Sequence, residues 1–317
     1  MSALILHDRH HGSQARILPG LGFNCFSLQV PVNGEVVEAL DAEAGFEKGD
    51  QRGSRSGIPW LFPFPNRIER GRYNWRGKDY QLPVSDAYGN AIHGFVMDRP
   101  WRVVAADAQT AVAEFQLSID APDRQLLWPS DFLIEVRYTL RQACLRADIR
   151  IVNAGDQALP WGLGTHPYFR APLGSKSKAG QCLVQVPAAS NWELNDCLPT
   201  GQQRPVEPAR DLRHGAALEG LKLDDVLTGI EITGGTVVTS LLDPAAGVAV
   251  TQVTDRIFRE CVVFTPPGRP CVCLEPYTCV TNAINLEQQG IDAGWQVLSV
   301  GGEVRTWIEI HVGPILV

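Results

Sequence analysis

The sequence predicts an all-β protein of 317 residues, a large antiparallel β-sandwich with few short helices that forms one domain over residues 1–317. Hydrophobic residues recur mainly with a period of two, which is typical of half-buried strands. No window keeps the i, i+3, i+4, i+7 spacing of a long amphipathic helix. The 30 glycines and 22 prolines exceed average usage and indicate many turns.

The strand pattern recurs along the whole chain. Residues 71–82 indicate a hairpin that turns at Arg76-Gly77, and residues 236–253 indicate a second hairpin around the breaker Asp243-Pro244-Ala245-Ala246-Gly247. Alternating segments predict further strands at 111–119, 133–140, 145–152 and 305–312. A short helical turn is expected at 123–127, and 171–180 is expected to be a surface loop because it lacks phosphate-loop spacing. Regular strand density from end to end favours two packed sheets.

Charge and hydropathy exclude several functional classes. Lys and Arg number 28 against 35 Asp and Glu, and a net charge of -7 gives no attraction toward nucleic acid. No apolar run reaches the roughly 18 residues of a membrane span, and residues 1–11 lack the apolar region of a secretory signal. We therefore expect a cytoplasmic protein whose eight cysteines stay reduced.

Three of the cysteines lie close together in the sequence. Cys271, Cys273 and Cys279 form C-x-C-x5-C, which is not the C-x2-C spacing of structural zinc sites. Free cysteine is usually a small buried side chain, so we expect core residues here and no metal site.

Four polar side chains stand inside apolar, turn-rich segments: Arg67, His93, His166 and Glu275. Burying any of them without a partner costs on the order of a few kcal/mol, so each needs a specific environment. Taken singly, each has an ordinary structural explanation: a hydrogen-bonded core histidine, a paired arginine, a glutamate at a strand end. Taken together, they supply an imidazole acid and a carboxylate base. The remaining histidines, including His214 in a loop and His311 on an outward strand face, are weaker candidates.

Several blocks occur together in a recognisable order. These are R-S-G-I-P-W-L-F-P-F-P-N-R-I, then N-A-I-H-G-F, G-T-H-P-Y-F, L-D-D and L-E-P-Y-T. As a set they resemble the aldose 1-epimerase (galactose mutarotase) family, from about Arg55 to the C-terminus. The resemblance implies a large β-sandwich that interconverts the α and β anomers of an aldose without a cofactor.

The resemblance also assigns roles residue by residue. His166 in T-H-P-Y-F matches the general acid, and Glu275 in L-E-P matches the general base. His93 and Arg67 match substrate-binding groups, and Asp224 in L-D-D matches the carboxylate that holds sugar hydroxyls, with its neighbour Asp225 an alternative. The expected apolar walls of the sugar site are Trp161 and Phe264.

Two alternatives remain open from the sequence. A hexose-6-phosphate 1-epimerase shares the fold and the H-G-F block and needs cationic groups for the phosphate, for which Arg52, Arg55 and Arg70 are near in sequence. A non-catalytic carbohydrate-binding or sensor protein on the same fold needs no acid–base pair. Many family members have N-H-x-Y-F where this chain has T-H-P-Y-F, so the sequence leaves the preferred sugar open, as it does the oligomeric state.

Overall fold

The computed structural model describes residues 2–315, about 49% of them in strands and 10% in helices. The strands, numbered in chain order, are β1 (Leu4–Asp8), β2 (Ser13–Leu18), β3 (Asn24–Val32), β4 (Glu35–Glu38), β5 (Trp60–Leu61), β6 (Arg67–Ile68), β7 (Arg72–Trp75), β8 (Lys78–Gln81), β9 (Ala91–Ile92), β10 (Arg102–Ala106), β11 (Thr110–Gln116), β12 (Phe132–Arg141), β13 (Cys144–Asn153), β14 (Leu159–Trp161), β15 (Gly164–Thr165), β16 (Tyr168–Arg170), β17 (Leu183–Gln185), β18 (Ala188–Asn195), β19 (Leu198–Pro205), β20 (Ala216–Ala217), β21 (Asp224–Ile230), β22 (Thr236–Asp243), β23 (Val248–Asp255), β24 (Glu260–Phe264), β25 (Cys271–Tyr277), β26 (Gln296–Leu298) and β27 (Glu303–Pro314).

The helices are short. The α-helices are α1 (Leu117–Asp120) and α2 (Ala283–Gln288), and the 3-10 turns are Phe46–Lys48, Gly53–Arg55, Glu69–Gly71, Pro122–Leu127, Ala179–Gln181 and Pro208–Arg210. Within residues 2–315, no helix combines the length and apolar character needed to cross a bilayer.

Two large antiparallel sheets dominate the fold. One has nine strands in the order β10-β11-β12-β13-β27-β23-β22-β17-β20, and the other runs β19-β18-β21-β24-β25-β15-β5 with β16 also paired to β25. The sheets meet through a shared apolar core, and Gln252 on β23 donates a hydrogen bond to the carbonyl of Leu274 on β25 across it (3.1 Å). The predicted antiparallel β-sandwich is confirmed.

Smaller sheets surround this pair. The first four strands form a sheet of their own, and two-stranded pairs form between β6 and β9, β7 and β8, and β14 and β26. The predicted hairpins at 71–82 and 236–253 are β7–β8 and β22–β23. The prediction of a strand over 111–119 is wrong at its end, because residues 117–119 begin α1. The Asp120 carboxylate accepts the backbone N–H of Gln116, and that of Asp131 accepts the backbone N–H of Ser118.

Strand β25 differs from the regular strands of the nine-stranded sheet. On β13 every second residue is buried, as a strand with one face in the core requires. All seven residues of β25 are buried, Glu275 included. A carboxylate enclosed on a strand that is buried on both faces must have polar partners nearby.

Candidate active site

The buried carboxyl of Glu275 contacts the imidazole of His166. His166 Nε2 lies 3.2 Å from Glu275 Oε1, and the side chains are 8% and 2% exposed. The hydroxyl of Tyr277 donates a hydrogen bond to Glu275 Oε2. The ring of Tyr168 stacks on the imidazole, with ring centroids 4.6 Å apart. The two groups therefore form a contacting pair that their neighbours hold in place.

Sheet register explains how distant segments reach this pair. Residues directly opposite one another in antiparallel strands point their side chains to the same face. Cys273 lies opposite Tyr168 on one side and Phe264 on the other, and Phe264 in turn lies opposite Asp224. Glu275 shares the face of Cys273 because it is two residues further along β25. One row across four strands thus brings the 168, 264 and 224 positions beside the carboxyl.

Arg67 and His93 enter the site from the β6–β9 pair. Asn66 and His93 both adopt positive φ, 53° and 67°, and the backbone N–H of His93 donates to the carbonyl of Asn66 (2.8 Å). Such backbone is costly for non-glycine residues and is often found at functional sites. Gly94 also has positive φ, and a Cβ there would collide with the Phe62 carbonyl. Glycine is therefore required at position 94 by the backbone geometry.

The β6–β9 segment brings the guanidinium of Arg67 and the imidazole of His93 near His166 and Glu275. The His93 ring lies edge-on to His166, with centroids 5.8 Å apart. Arg67 is held by Asp86, with Nε to Oδ2 at 2.7 Å, and donates to Asn66 Oδ1 at 2.9 Å. The positive charge of Arg67 acts on the pKa values of His93, Asp224 and Glu275.

Burial controls the protonation of the pair. Desolvation lowers the pKa of His166 to about 3, and the charge of Arg269 acts in the same direction. Desolvation raises the pKa of Glu275 well above its usual value, although the hydrogen bond from Tyr277 opposes this. A charge on either group alone is disfavoured, so we expect a pair that is neutral overall and holds one transferable proton. Desolvation and the neighbouring positive groups also lower the pKa of His93, which leaves it neutral.

A cleft of about 680 Å³ lies beside the pair. Asp224 and Phe264 line it, and the Phe264 ring stands edge-on to His166 with centroids 6.2 Å apart. His166 and Glu275 are not in the cleft wall, so Phe264 connects the cleft to the pair. Desolvation raises the pKa of Asp224, while Arg67 opposes that shift. The neighbouring Asp225 lies on the other face of β21 and pairs with Arg210.

The structure brings together most, but not all, of the site residues predicted from the sequence. The structure gathers His166, Glu275, Arg67, His93, Phe264 and Asp224 in one region. Trp161 instead packs in the core against Phe62, with ring centroids 6.4 Å apart. Within residues 2–315, its ring is not among the aromatic contacts of His166.

Sequence reasoning missed the groups that support the pair. The hydroxyl of Tyr168 donates to the carbonyl of Ser54 (2.6 Å) and lies 3.4 Å from His166 Nε2. Since its one hydrogen is used, the oxygen faces Nε2 as an acceptor. Tyr277 follows Glu275 by two residues on β25, so period two was a usable signal there. His166 lies in the break between β15 and β16, so the same signal did not apply to Tyr168. Asp86 had no such signal, because it reaches Arg67 across a loop.

The sequence matches a family profile and several known proteins. The family profile described as Aldose 1-epimerase matches residues 9–311. The chain belongs to the aldose 1-epimerase family. It is 27% identical over 237 residues to the uncharacterized protein YihR of Escherichia coli (strain K12), covering 73% of this chain and 72% of that protein. It is 31% identical over 150 residues to galactose mutarotase of Rattus norvegicus, covering 47% of this chain and 42% of the rat protein.

Solved structures of family members share the fold. A galactose mutarotase-like protein from Clostridium acetobutylicum superposes with a TM-score of 0.85 at 22% identity, covering 96% of this chain and 94% of that one. A GalM/aldose epimerase homologue from Caenorhabditis elegans gives a TM-score of 0.81 at 19% identity, covering 99% of this chain and 100% of that one. At these identities the likeness establishes the architecture, and the activity has to be argued from the site.

Proposed function

We propose that this aldose 1-epimerase family member interconverts the α and β anomers of a free aldose by opening and reclosing its hemiacetal ring. The observation that carries the proposal is the 3.2 Å contact between a buried imidazole and a buried carboxyl, His166 and Glu275. Arg67, His93 and Asp224 surround that contact with groups that bind hydroxyls.

The reaction needs two proton transfers at oxygens that share one carbon. The proton of the pair first moves from Glu275 to His166; Glu275 then takes the proton of the C1 hydroxyl while His166 gives its proton to the ring oxygen, which opens the ring. The aldehyde then turns about C1–C2, and reclosure on its other face reverses both transfers. Because the pair starts and ends with the same single proton, each cycle leaves the enzyme unchanged.

The surrounding groups have defined tasks in this scheme. Arg67 and neutral His93 donate hydrogen bonds to sugar oxygens and stabilise the negative charge that develops when the ring opens. Asp224 accepts from sugar hydroxyls at the cleft and keeps the open form oriented while one bond rotates. Tyr277 fixes the carboxyl of Glu275 by donating to Oε2, which leaves Oε1 beside His166 Nε2.

A carbohydrate-binding or sensor protein explains the site less well. Binding a sugar requires hydrogen bonds and an apolar surface, but not a desolvated imidazole against a desolvated carboxyl. Perturbed titratable pairs of this kind are characteristic of catalytic sites.

One observation favours a sugar phosphate as the second candidate substrate. Arg52 is exposed on the wall of a second cleft of about 540 Å³, and its charge contributes to lowering the pKa of His93. A phosphate on the sugar C6 would find a cation there. Arg67 and Arg269 are less suited, because Asp86 and Asp41 already bind them.

The deciding experiment is an anomerisation panel followed by polarimetry or NMR. We expect the protein to accelerate free aldoses more than their 6-phosphates, and His166→Ala to lower the rate by about 10²- to 10⁴-fold. His311→Ala, which alters an outward-facing histidine, is the matched control and should keep the rate. Failure to accelerate any free aldose would sink the proposal. Faster turnover of a 6-phosphate that Arg52→Ala abolishes would select the second candidate.

The proposal includes a cytoplasmic location. All eight cysteines lie within residues 2–315 and are free thiols, which suits a reducing compartment.

A further inference from the structure

Cys273 brings a thiol to the acid–base pair. Its Sγ, a ring nitrogen of His166 and a carboxylate oxygen of Glu275 all lie within 4.8 Å of one another, and all three residues are buried. The proposed reaction uses the imidazole and the carboxyl but gives the thiol no task.

The fold fixes this arrangement. Cys273 is two residues before Glu275 on β25, so both side chains occupy one face of the strand. Tyr168 and Phe264 flank the thiol, because they lie opposite Cys273 on the two neighbouring strands. The three donors therefore sit on a rigid sheet.

The donor set has a definite chemical preference. Sulfur, imidazole nitrogen and carboxylate oxygen together are ligands of Zn²⁺ and of similar transition metals, while Mg²⁺ and Ca²⁺ prefer oxygen alone. On binding, the ion displaces the thiol proton of Cys273 and the single proton of the His166–Glu275 pair to solvent. The resulting thiolate, carboxylate and neutral imidazole balance the charge of one divalent cation. Charge balance matters in this site because an uncompensated buried charge is costly.

We propose that His166, Cys273 and Glu275 form an inhibitory site for a thiophilic divalent cation such as Zn²⁺. The ion occupies the two groups that the sugar needs for proton transfer, so metal and sugar compete. The inhibition rests on the proposed function above, but metal binding through Cys273 does not depend on it.

The neighbouring cysteines are excluded by position. The thiol of Cys271 is near Asp41 and Arg269. Cys279 packs in a separate apolar cluster with Leu61 and Val280. The site therefore takes one cysteine from the C-x-C-x5-C segment, which explains why the spacing of that segment does not resemble a zinc motif.

Direct binding is tested with Co²⁺ as the probe. Within residues 2–315, the one other such trio is Cys144, Glu309 and His311 on the surface, so the parent protein for the titration carries Cys144→Ser. We expect a thiolate-to-cobalt charge-transfer band that Cys273→Ala removes and Cys271→Ala keeps. Absence of the band in the parent, or its persistence in Cys273→Ala, overturns the site.

Inhibition is tested by anomerisation rates with Zn²⁺. In the Cys144→Ser parent we expect Zn²⁺ to raise the apparent KM with kcat unchanged. Cys273→Ala should raise the Zn²⁺ concentration for half-inhibition by about 10- to 100-fold, since loss of even an outer-sphere partner commonly costs that much affinity. Inhibition that excess sugar does not relieve overturns competition.

Two further readouts keep the outcomes separate. Circular dichroism checks that each variant is folded, and Cys273→Ser replaces Cys273→Ala if the latter unfolds. If the protein turns over no sugar, the cobalt band alone decides metal binding, and it is then the proposed function that has failed.

Discussion

Residues 2–315 contain two groups of cysteine, histidine and glutamate in very different settings. In the buried group, His166 and Glu275 are 3.2 Å apart, and in the surface group on β13 and β27, His311 and Glu309 are 2.9 Å apart. The side chains of the surface pair are 45% and 22% exposed, against 8% and 2% for the buried pair. Residue types and distances nearly match, but the environments do not.

The two environments shift the pKa values of the two carboxylates in opposite directions. Desolvation raises the pKa of Glu275 well above its usual value. Partial burial also acts to raise the pKa of Glu309, but hydrogen bonds from Arg146 and His311 outweigh it and lower the pKa. Enclosure therefore separates the two contacts: under the proposed function the buried pair transfers protons, whereas the exposed pair is an ordinary surface ion pair.

The largest expected difference between the two groups is in catalysis. Glu275→Gln should lower the anomerisation rate by about 10²- to 10⁴-fold, because it removes the base but keeps the shape. Glu309→Gln is the matched surface change and should leave the rate within about twofold, since its ion pair is distant from the chemistry. Polarimetry on purified, folded variants measures both. Equal losses in the two variants would break the distinction.

The next effect concerns the hydroxyl that supports Glu275. Tyr277→Phe should lower the rate by about 10- to 150-fold, because a hydrogen bond to a charged group contributes on the order of 1.5–3 kcal/mol. Tyr73→Phe removes a hydroxyl that donates to the carbonyl of Leu127 (2.8 Å), away from the pair, and serves as the control. A Tyr277→Phe enzyme with full activity would show that enclosure alone poises the carboxyl.

Stability should respond to pH with opposite signs at the two carboxylates. A raised folded-state pKa makes the contribution of Glu275 complete below about pH 4.5 and lost as pH rises, so Glu275→Gln should become more stable than the wild type as pH approaches neutrality. A lowered folded-state pKa makes the contribution of Glu309 present above about pH 4.5 and lost as pH falls. Denaturant unfolding across this range measures both differences, and slopes of the same sign would contradict the assignment.

The smallest effect is expected at the surface ion pair itself. Arg146 contacts Glu309 at 2.6 Å but is partly exposed, so Arg146→Ala should change the free energy of unfolding by about 1 kcal/mol or less, part of it from lost packing on Trp307. Chemical denaturation with and without added salt separates charge from packing. A loss of several kcal/mol would mean that this ion pair contributes far more to stability than exposed ion pairs normally do.

Much of the fold was predictable because alternating apolar and polar residues indicate a strand with one face buried. The expected strands at 133–140 and 145–152 lie within β12 and β13, which are regular and adjacent in sequence. Alternation carries no information on long-range pairing, so the contact of β13 with β27 was not predictable. It also failed at 117–119, where carboxylates capture backbone N–H groups.

The candidate site was predictable in its residues but not in its construction. His166 and Glu275 followed from sequence blocks, whereas their 3.2 Å contact depends on sheet register. The choice between Asp224 and Asp225 is a matter of which strand face each occupies, and only the pairing of β21 with β24 orients that face toward Phe264. The catalytic roles of His166 and Glu275 stay predictions, as do the binding roles of Arg67, His93, Asp224, Trp161 and Phe264.

The contact of Gly94 with the Phe62 carbonyl has a practical consequence for engineering. With no room for even a methyl group and a backbone angle that side chains resist, this position offers no variants worth screening. Libraries aimed at new sugar preferences should keep the His93-Gly94 corner fixed and randomise the rim around residue 224, where the chain meets solvent.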